Sequence, residues 1–176
     1  MKIIGITGKR CSGKDTVYAA LQGAALNIQR VAFADPLKAE CAQALGITLE
    51  ELEEGKATIF RPLLQWWGTE WRRNRFGEDY WINQMIAKLE GIRNSSLPDG
   101  TIVAITDCRF QNEVDMVRAL GGKVVKVIRP GLPEDAYGAH VSEAIDGLKS
   151  DLVLTNDKTL EDFYAEVRKW VPTILT

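Results

Sequence analysis

Apolar, largely β-branched residues occur in five short runs, and stretches with helical spacing follow four of them. The runs predict strands at residues 2–7, 29–33, 101–106, 123–128 and 151–155. Helices are predicted at residues 14–26, 37–45, 110–120 and 160–171. Nearly continuous apolar runs are typical of parallel strands that are buried on both faces. This alternation of strands and helices predicts an α/β sheet with helices on both faces.

The longest interval between predicted strands contains a helical insert at residues 36–90. It holds four of the five tryptophans. An insert of this size on a compact sheet suggests a substrate-binding module within a single domain spanning residues 1–176. Residues 91–100 (GIRNSSLPDG) predict an exposed loop that leads into the third strand.

Residues 8–14 (GKRCSGK), here called the phosphate loop, match the pattern G-x-x-x-x-G-K between a predicted strand and a predicted helix. Glycines at the pattern positions let successive backbone N–H groups point at phosphate oxygens, and Lys14 would reach the β- and γ-phosphates. A glycine-rich turn without a ligand is the alternative, which the strand, lysine and helix in register disfavour. The predicted ATP contacts here are Gly8, Lys9, Arg10, Ser12, Gly13, Lys14, Asp15 and Thr16.

The residue after the loop lysine is Asp15, where a serine or threonine is usual. Its carboxylate fits a magnesium ligand, directly or through water. It also fits a helix-start carboxylate that the helix dipole favours, and both interpretations stay open. Thr16 would donate its hydroxyl to the α-phosphate, and adenylate-kinase-like enzymes resemble this chain in that arrangement.

Residues 61–75 (RPLLQWWGTEWRRNR) show two stripes when they are placed on an α-helix. The polar stripe contains Arg61, Gln65, Gly68, Arg72 and Arg75. The apolar stripe contains Phe60, Leu64, Trp67 and Trp71. Guanidinium groups bind phosphate in a bidentate fork, so the polar stripe predicts an anion site in which Gly68 leaves room for a ligand. A solvated arginine face is the alternative, and the absence of an accompanying acidic stripe disfavours it. Trp66 and Trp67 fit nucleobase stacking or, more commonly, a core.

The third predicted strand ends in Asp107, and Arg109 follows. An Asp at this place beside a phosphate loop helps to hold magnesium, although a helix cap is the alternative. His140 precedes Ser142 and Glu143, but no nucleophile elbow accompanies them. Cys11 and Cys108 have no neighbouring base in the sequence, so covalent catalysis is disfavoured.

The composition changes this picture little. The formal net charge of -2 predicts no nucleic-acid partner and no attraction to anionic membranes. No apolar run approaches the roughly 20 residues of a membrane span, and the first residues do not fit a signal peptide. Three cysteines without a C-x-x-C pair indicate neither a disulfide framework nor a zinc site. We therefore expect a cytoplasmic protein, in the host cytoplasm if a phage encodes it.

Taken together, the motifs resemble those of the bacteriophage deoxynucleoside monophosphate kinases over almost the whole chain. They are GKRCSGKDT (8–16), FADPLK (33–38), RPLLQWWGTEWRR (61–73), GEDYW (77–81), TDCRFQNE (106–113), GGKVVKVIRP (121–130), HVSE (140–143) and TNDKTLEDF (155–163). The resemblance implies a P-loop kinase fold with about five parallel strands. It also implies ATP and Mg²⁺ as cofactors and a deoxynucleoside monophosphate as the phosphate acceptor.

The resemblance also implies roles for single residues. Those expected to act in catalysis are Lys14, Asp15, Arg72, Asp107 and Arg109. Magnesium would lie near Asp15, Thr16 and Asp107. The expected acceptor contacts, together with those from the polar stripe and the tryptophans, are Lys38, Arg61, Gln65, Trp66, Arg72, Arg75 and Arg109. Asn156 and Asp157 would border the adenine. Arg129, also an expected ATP contact, opens a loop to residue 147 that would close over the site.

Other assignments remain open beside this one. Another small-molecule kinase of the same fold, such as a dephospho-CoA or phosphomevalonate kinase, carries a similar loop. A non-catalytic ATP-binding switch module would bind ATP without acceptor-dependent ADP release. Since members of the family form dimers, the resemblance also allows a homodimer, with the tryptophan-rich insert as a candidate contact.

Overall fold

The computed structural model describes residues 1–24, 27–132 and 140–175. The chain forms two compact units. The sheet unit comprises Met1–Ala32 and Gly91–Thr176, and the helical unit comprises Phe33–Glu90.

Five parallel strands form the sheet, in the order β2-β3-β1-β4-β5. They are β1 (Lys2–Gly8), β2 (Ile28–Val31), β3 (Ile102–Cys108), β4 (Lys123–Ile128) and β5 (Leu152–Thr155). The predicted parallel sheet is confirmed, and β1 lies at its centre. The second strand is shorter than the predicted 29–33, because α-helical structure begins already at Ala34.

The described part of the chain contains eight α-helices. They are α1 (Lys14–Gln22), α2 (Ala34–Leu45), α3 (Leu49–Gly55), α4 (Arg61–Trp66), α5 (Asn74–Phe76), α6 (Tyr80–Arg93), α7 (Gln111–Ala119) and α8 (Leu160–Leu175). The first predicted helix extended to residue 26, and its residues 25 and 26 lie outside the described part of the chain. Helix α6 continues to Arg93, so the predicted loop at 91–100 begins later than expected.

Helices cover both faces of the sheet, as predicted. Ile4 and Ile6 of β1 pack in a buried cluster with Val17 of α1 and Phe163 of α8. On the opposite face, a Cβ at Gly5 would lie 3.1 Å from a methyl group of Val117, so α7 packs closely there. The strands therefore have two buried faces, which is why their sequences are apolar almost throughout.

The helical unit has a small core of its own. Cys41, Leu52 and Leu64 are buried in it, and Phe60 and Trp67 pack against them. Three of the four residues of the predicted apolar stripe thus pack as expected. Two π-helical segments, Lys56–Phe60 and Trp67–Arg73, interrupt the regular α-helix on either side of α4.

No helix in residues 1–24, 27–132 and 140–175 is long and apolar enough to cross a membrane.

Candidate functional site

The phosphate loop connects β1 to α1 and has a conformation that requires glycine at Gly13. The φ angle of Gly13 is 110°, and a Cβ there would lie 2.6 Å from Nδ2 of Asn156. The same Nδ2 donates a hydrogen bond of 2.9 Å to the carbonyl oxygen of Ser12. Asn156, which follows β5, therefore braces the loop from the side. The sequence resemblance assigned it to the adenine border and did not indicate this contact.

Polar side chains of the loop and of the adjoining strands β1 and β3 lie at the carboxyl end of the sheet. The Nζ atom of Lys14 donates to the carbonyl oxygens of Gly8 (2.7 Å) and Lys9 (2.9 Å). Three buried hydroxyls, those of Thr7, Ser12 and Thr106, have no hydrogen-bond partner among the described residues. Since buried polar groups are normally satisfied, these hydroxyls fit contacts to oxygen atoms of a ligand.

A cavity of about 370 Å³ opens beside the loop. Its lining residues are Cys11, Gly13, Lys14, Asp15, Thr16, Arg129, Asn156, Lys158 and Leu160. Six of the predicted ATP-binding residues thus lie together around one space. Gly8, Lys9, Arg10, Ser12 and Asp157 are not among the described lining residues.

Lys158 and Leu160 also line this cavity, and neither was predicted as a site residue from the sequence. Leu160 is 58% exposed and supplies an apolar surface, while Lys158 and Arg129 add positive charge. The only signal in the sequence is their place directly after the last strand. In an open parallel sheet, ligands bind outside the carboxyl ends of the strands.

Basic side chains on β4 and directly after β3 hold the segment 140–147 by hydrogen bonds to its carbonyl oxygens. The buried Nζ atom of Lys126 donates to the carbonyl oxygens of Ile145 (3.2 Å) and Asp146 (2.7 Å). Nη1 of Arg109 donates to the carbonyl oxygen of Ser142 (3.1 Å), so this predicted catalytic arginine has a structural contact. Of the loop predicted to close over the site, residues 133–139 lie outside the described chain.

His140, Ser142 and the two buried cysteines have structural surroundings. Nδ1 of His140 accepts a hydrogen bond from the backbone N–H of Ser142 and lies 2.8 Å from its Oγ, so the histidine caps a short turn. Burial raises the pKa of Cys41 to about 11, and burial likewise raises the pKa of Cys108. Both thiols are therefore protonated at neutral pH and poor nucleophiles.

The candidate magnesium residues are few. Asp15 and Thr16 line the cavity, and Asp107 is half-buried at the end of β3. Across the described residues, no three His, Cys, Asp or Glu side chains lie close enough to hold a metal ion. An Mg²⁺ ion bound here would therefore take most of its six oxygen ligands from phosphates and water, as this cation commonly does.

The arginine segment departs from the single regular helix that the sequence predicted. Helix α4 ends at Trp66, and the π-helical segment Trp67–Arg73 shifts the later side chains away from the predicted stripe. Trp66 and Trp71, five residues apart, have stacked rings with centroids 5.9 Å apart, so Trp71 does not join the apolar stripe. The assignment of one continuous polar face to residues 61–75 is therefore wrong in its second half.

The expected space beside Gly68 is also absent. A Cβ at this position would lie 3.1 Å from Cδ2 of Leu37, so the glycine permits close packing against α2 and does not leave room for a ligand. Its carbonyl oxygen accepts a hydrogen bond from Nε1 of Trp81 (2.8 Å). The packing of helices within this unit explains the glycine.

An acidic partner for the arginines comes from a different helix. Nε of Arg72 donates to Oε2 of Glu40 on α2 at 2.7 Å. The sequence argument that no acidic residues accompany the arginines is thus wrong for Arg72, since Glu40 lies 32 positions away in sequence. Short-range spacing contains no signal for such a pair.

Comparisons with known proteins agree with this geometry. Residues 47–167 match the model of the family described as deoxynucleotide monophosphate kinase. The chain is 34% identical to a putative deoxynucleotide monophosphate kinase of Acanthamoeba polyphaga mimivirus, over 95% of this chain and 94% of that one. It is 31% identical to the deoxynucleotide monophosphate kinase of Enterobacteria phage T4, over 61% of this chain and 43% of that one.

The chain belongs to the deoxynucleotide monophosphate kinase family. It is a phosphotransferase with the P-loop kinase fold. The solved structure of the dephospho-CoA kinase from Campylobacter jejuni shares this fold, with a TM-score of 0.54 at 14% identity over 99% of this chain and 98% of that one.

In the helical unit of this kinase, the other residues predicted to bind the acceptor differ in their contacts and in their burial. Lys38 forms an ion pair with Glu53, which also pairs with Lys56 at 3.1 Å. The guanidinium of Arg75 lies 4.9 Å from the centroid of the Trp71 ring. Trp66 is 46% exposed, with its ring stacked on that of Trp71, whereas Trp67 packs in the core. Arg61 and Gln65 are half-buried.

Proposed function

We propose that this kinase transfers the γ-phosphate of ATP to a deoxynucleoside 5′-monophosphate. The observation that carries the proposal is the cavity beside the phosphate loop, where Lys14, Arg129 and Lys158 surround one space with the N-terminal end of α1. A helix N-terminus and three cations favour a polyphosphate. The exposed apolar side chain of Leu160 at the same cavity suits the base of the nucleotide.

The loop itself fits a triphosphate by an independent criterion. The buried Oγ of Ser12 has no hydrogen-bond partner among the described residues, and Gly13 has no Cβ that would obstruct the backbone. The loop N–H groups and Lys14 would hold the β- and γ-phosphates. Asp15, Thr16 and Asp107 would help to hold Mg²⁺, which neutralises phosphate charge when it is bound.

The chemical step needs little from the protein beyond position and charge. An acceptor phosphate oxygen would attack the γ-phosphorus, and the bond from that phosphorus to the β–γ bridging oxygen would break, with ADP as the leaving group. Because the acceptor oxygen is already an anion, no strong general base is required. Arg72, Arg61 and Gln65 of the helical unit are the residues proposed to bind the acceptor nucleotide. A homodimer through that unit stays a prediction.

The test is ADP release from Mg-ATP with each common nucleoside monophosphate in turn, in deoxy and ribo forms. We expect release to depend on one or a few deoxynucleotides and only weakly on their ribo counterparts. If ATP binds but no monophosphate stimulates release, the proposal is overturned in favour of a different acceptor or a switch module.

A further inference from the structure

The carboxylate of Glu40 is shared by three donors of the helical unit. Its Oε2 atom accepts hydrogen bonds from Nε of Arg72 (2.7 Å) and Nε1 of Trp67 (3.0 Å). Its Oε1 atom accepts a hydrogen bond from the hydroxyl of Tyr80 (2.6 Å). The three donors come from two separate segments of the unit, so α2 supplies the acidic centre of a small polar network.

Arg72 uses only one edge of its guanidinium in this network. The ion pair is made by Nε, and no described residue accepts a hydrogen bond from Nη1 or Nη2 of Arg72. The side chain is about one-quarter exposed, so part of it can reach a ligand. Two parallel Nη–H groups match the spacing of two phosphate oxygens.

Two aromatic rings restrict the plane of the same guanidinium. Its Cζ atom lies 5.1 Å from the centroid of the Phe76 ring and 5.1 Å from that of the Tyr80 ring. Such cation–π contacts favour a fixed orientation of the cation. With Nε bound to Glu40 and the rings beside it, Arg72 has little rotational freedom left.

We propose that Glu40 is a positioning residue, which orients Arg72 so that its two terminal nitrogens bind the acceptor phosphate. The inference rests on the proposed function, because it assumes that Arg72 binds the acceptor. Glu40 does not touch the acceptor itself. It acts through Arg72 by reducing the entropy that the arginine would lose when phosphate binds.

Glu40 is ionised at neutral pH, as this role requires. Burial raises the pKa of its carboxyl, but the hydrogen bonds from Tyr80, Trp67 and Arg72 and the charge of Arg72 outweigh that effect and leave the pKa below its ordinary value. Burial together with the hydrogen bond to Glu40 raises the pKa of the Tyr80 hydroxyl, so Tyr80 remains a donor.

A double-mutant cycle on the full chain tests the inference, with the acceptor found by the ADP-release assay. We expect Glu40→Ala to raise the acceptor KM about tenfold, while the KM for ATP changes less than about twofold. In the Arg72→Ala background, Glu40→Ala should change the acceptor KM by less than about twofold, because its partner is already gone. Glu40→Gln keeps a carbonyl acceptor and should recover part of the loss.

A second readout does not depend on turnover. In protein labelled with ¹⁵N-arginine, Nε–H of Arg72 should give a resolved, slowly exchanging NMR signal, and Glu40→Ala should abolish its protection. Glu50→Gln, which removes an exposed carboxylate from α3, is the matched control and should leave this signal and both KM values unchanged.

The outcomes separate the two proposals. If the wild-type kinase shows no dependence on any monophosphate but Glu40→Ala still abolishes the protection, the proposed function fails and the contact is supported. If the kinase is active and Glu40→Ala leaves the acceptor KM or the Arg72 signal unchanged, the inference fails alone. Equal effects with and without Arg72 would also overturn it, since a purely structural role predicts additivity.

Discussion

The two candidate phosphate-binding regions of this kinase are built from different parts of the chain. In the sheet unit, the phosphate loop is expected to bind phosphate through its backbone N–H groups, and its shape depends on Gly13 and on one hydrogen bond from Asn156. In the helical unit, Arg72 is oriented by side chains, chiefly Glu40 and Tyr80, which lie 32 and 8 positions away. One region is organised by backbone geometry and the other by a side-chain network.

This difference predicts different responses to substitution. Every residue type carries a backbone N–H except proline, so many side chains in a loop can change while its donors remain. A side-chain network loses its geometry when a single partner is removed, because the remaining groups are then free to adopt other rotamers.

The largest effect is expected for Lys14→Ala. Nζ of Lys14 is the one charged side-chain group that the loop contributes at its junction with α1, and its loss should lower kcat by more than about 100-fold. The unfolding midpoint should stay close to wild type, because Lys14 is half-buried and its bonds to the carbonyl oxygens of Gly8 and Lys9 are partly or fully exposed. Lys149→Ala, at an exposed position, is the control. A variant that keeps more than about a tenth of the wild-type rate would count against the loop assignment.

An intermediate effect is expected when the loop backbone itself is strained. Gly13→Ala places a Cβ 2.6 Å from Nδ2 of Asn156 in a left-handed conformation. It should lower the free energy of unfolding by about 1–3 kcal/mol and raise the KM for ATP. In Gly91→Ala, the added Cβ has no atom within 4 Å, so this control should be neutral or slightly stabilising. Urea denaturation measures the free energy of unfolding of both variants, and steady-state kinetics measure their KM for ATP. An unchanged KM for ATP in Gly13→Ala would contradict a site that depends on the backbone conformation of the loop.

The smallest effect concerns the pH dependence of the side-chain network. Because the pKa of Glu40 in the folded protein lies below its ordinary value of 4.5, its charge stabilises the fold fully above that value. The contribution is lost as the pH falls through the folded-state pKa. Wild type should therefore exceed Glu40→Gln in unfolding free energy by about 1 kcal/mol or less near neutral pH, and the difference should shrink below pH 4.5.

Urea titrations at several pH values measure this difference, with Glu50→Gln as the control for a change in net charge. A difference that grows as the pH falls would contradict the assigned direction of the Glu40 shift. A constant difference would show that the hydrogen bonds to Glu40 matter and its charge does not.

The sheet and the phosphate loop could be predicted because their signals are local. Apolar runs, helical spacing and the G-x-x-x-x-G-K pattern each lie within about a dozen neighbouring residues. The strand order, by contrast, depends on which strands pair with each other in the sheet. The hydrogen bond from Asn156 to the phosphate loop likewise exists only because β5 ends near that loop. Lys158 and Leu160 at the cavity had no local pattern that identified them.

The arginine segment, residues 61–75, could be predicted only in part from helical spacing. Its apolar stripe was predicted correctly as far as Trp67, which directly follows the regular α-helix of α4. The π-helical segment Trp67–Arg73 then changed the period, and Gly68 packed against Leu37 in place of a ligand. Packing between helices in this unit outweighed the weak preference of the segment for one regular helix.

By itself, the sequence determined the class of fold, the place of the phosphate loop and the family to which the kinase belongs, since these depend on short-range patterns and on motifs in fixed order. Only the tertiary structure decided that Glu40 holds Arg72, that Asn156 braces the loop and which residues line the cavity. Contacts of this kind join positions tens of residues apart, and their geometry exists only after the sheet and the helices have packed.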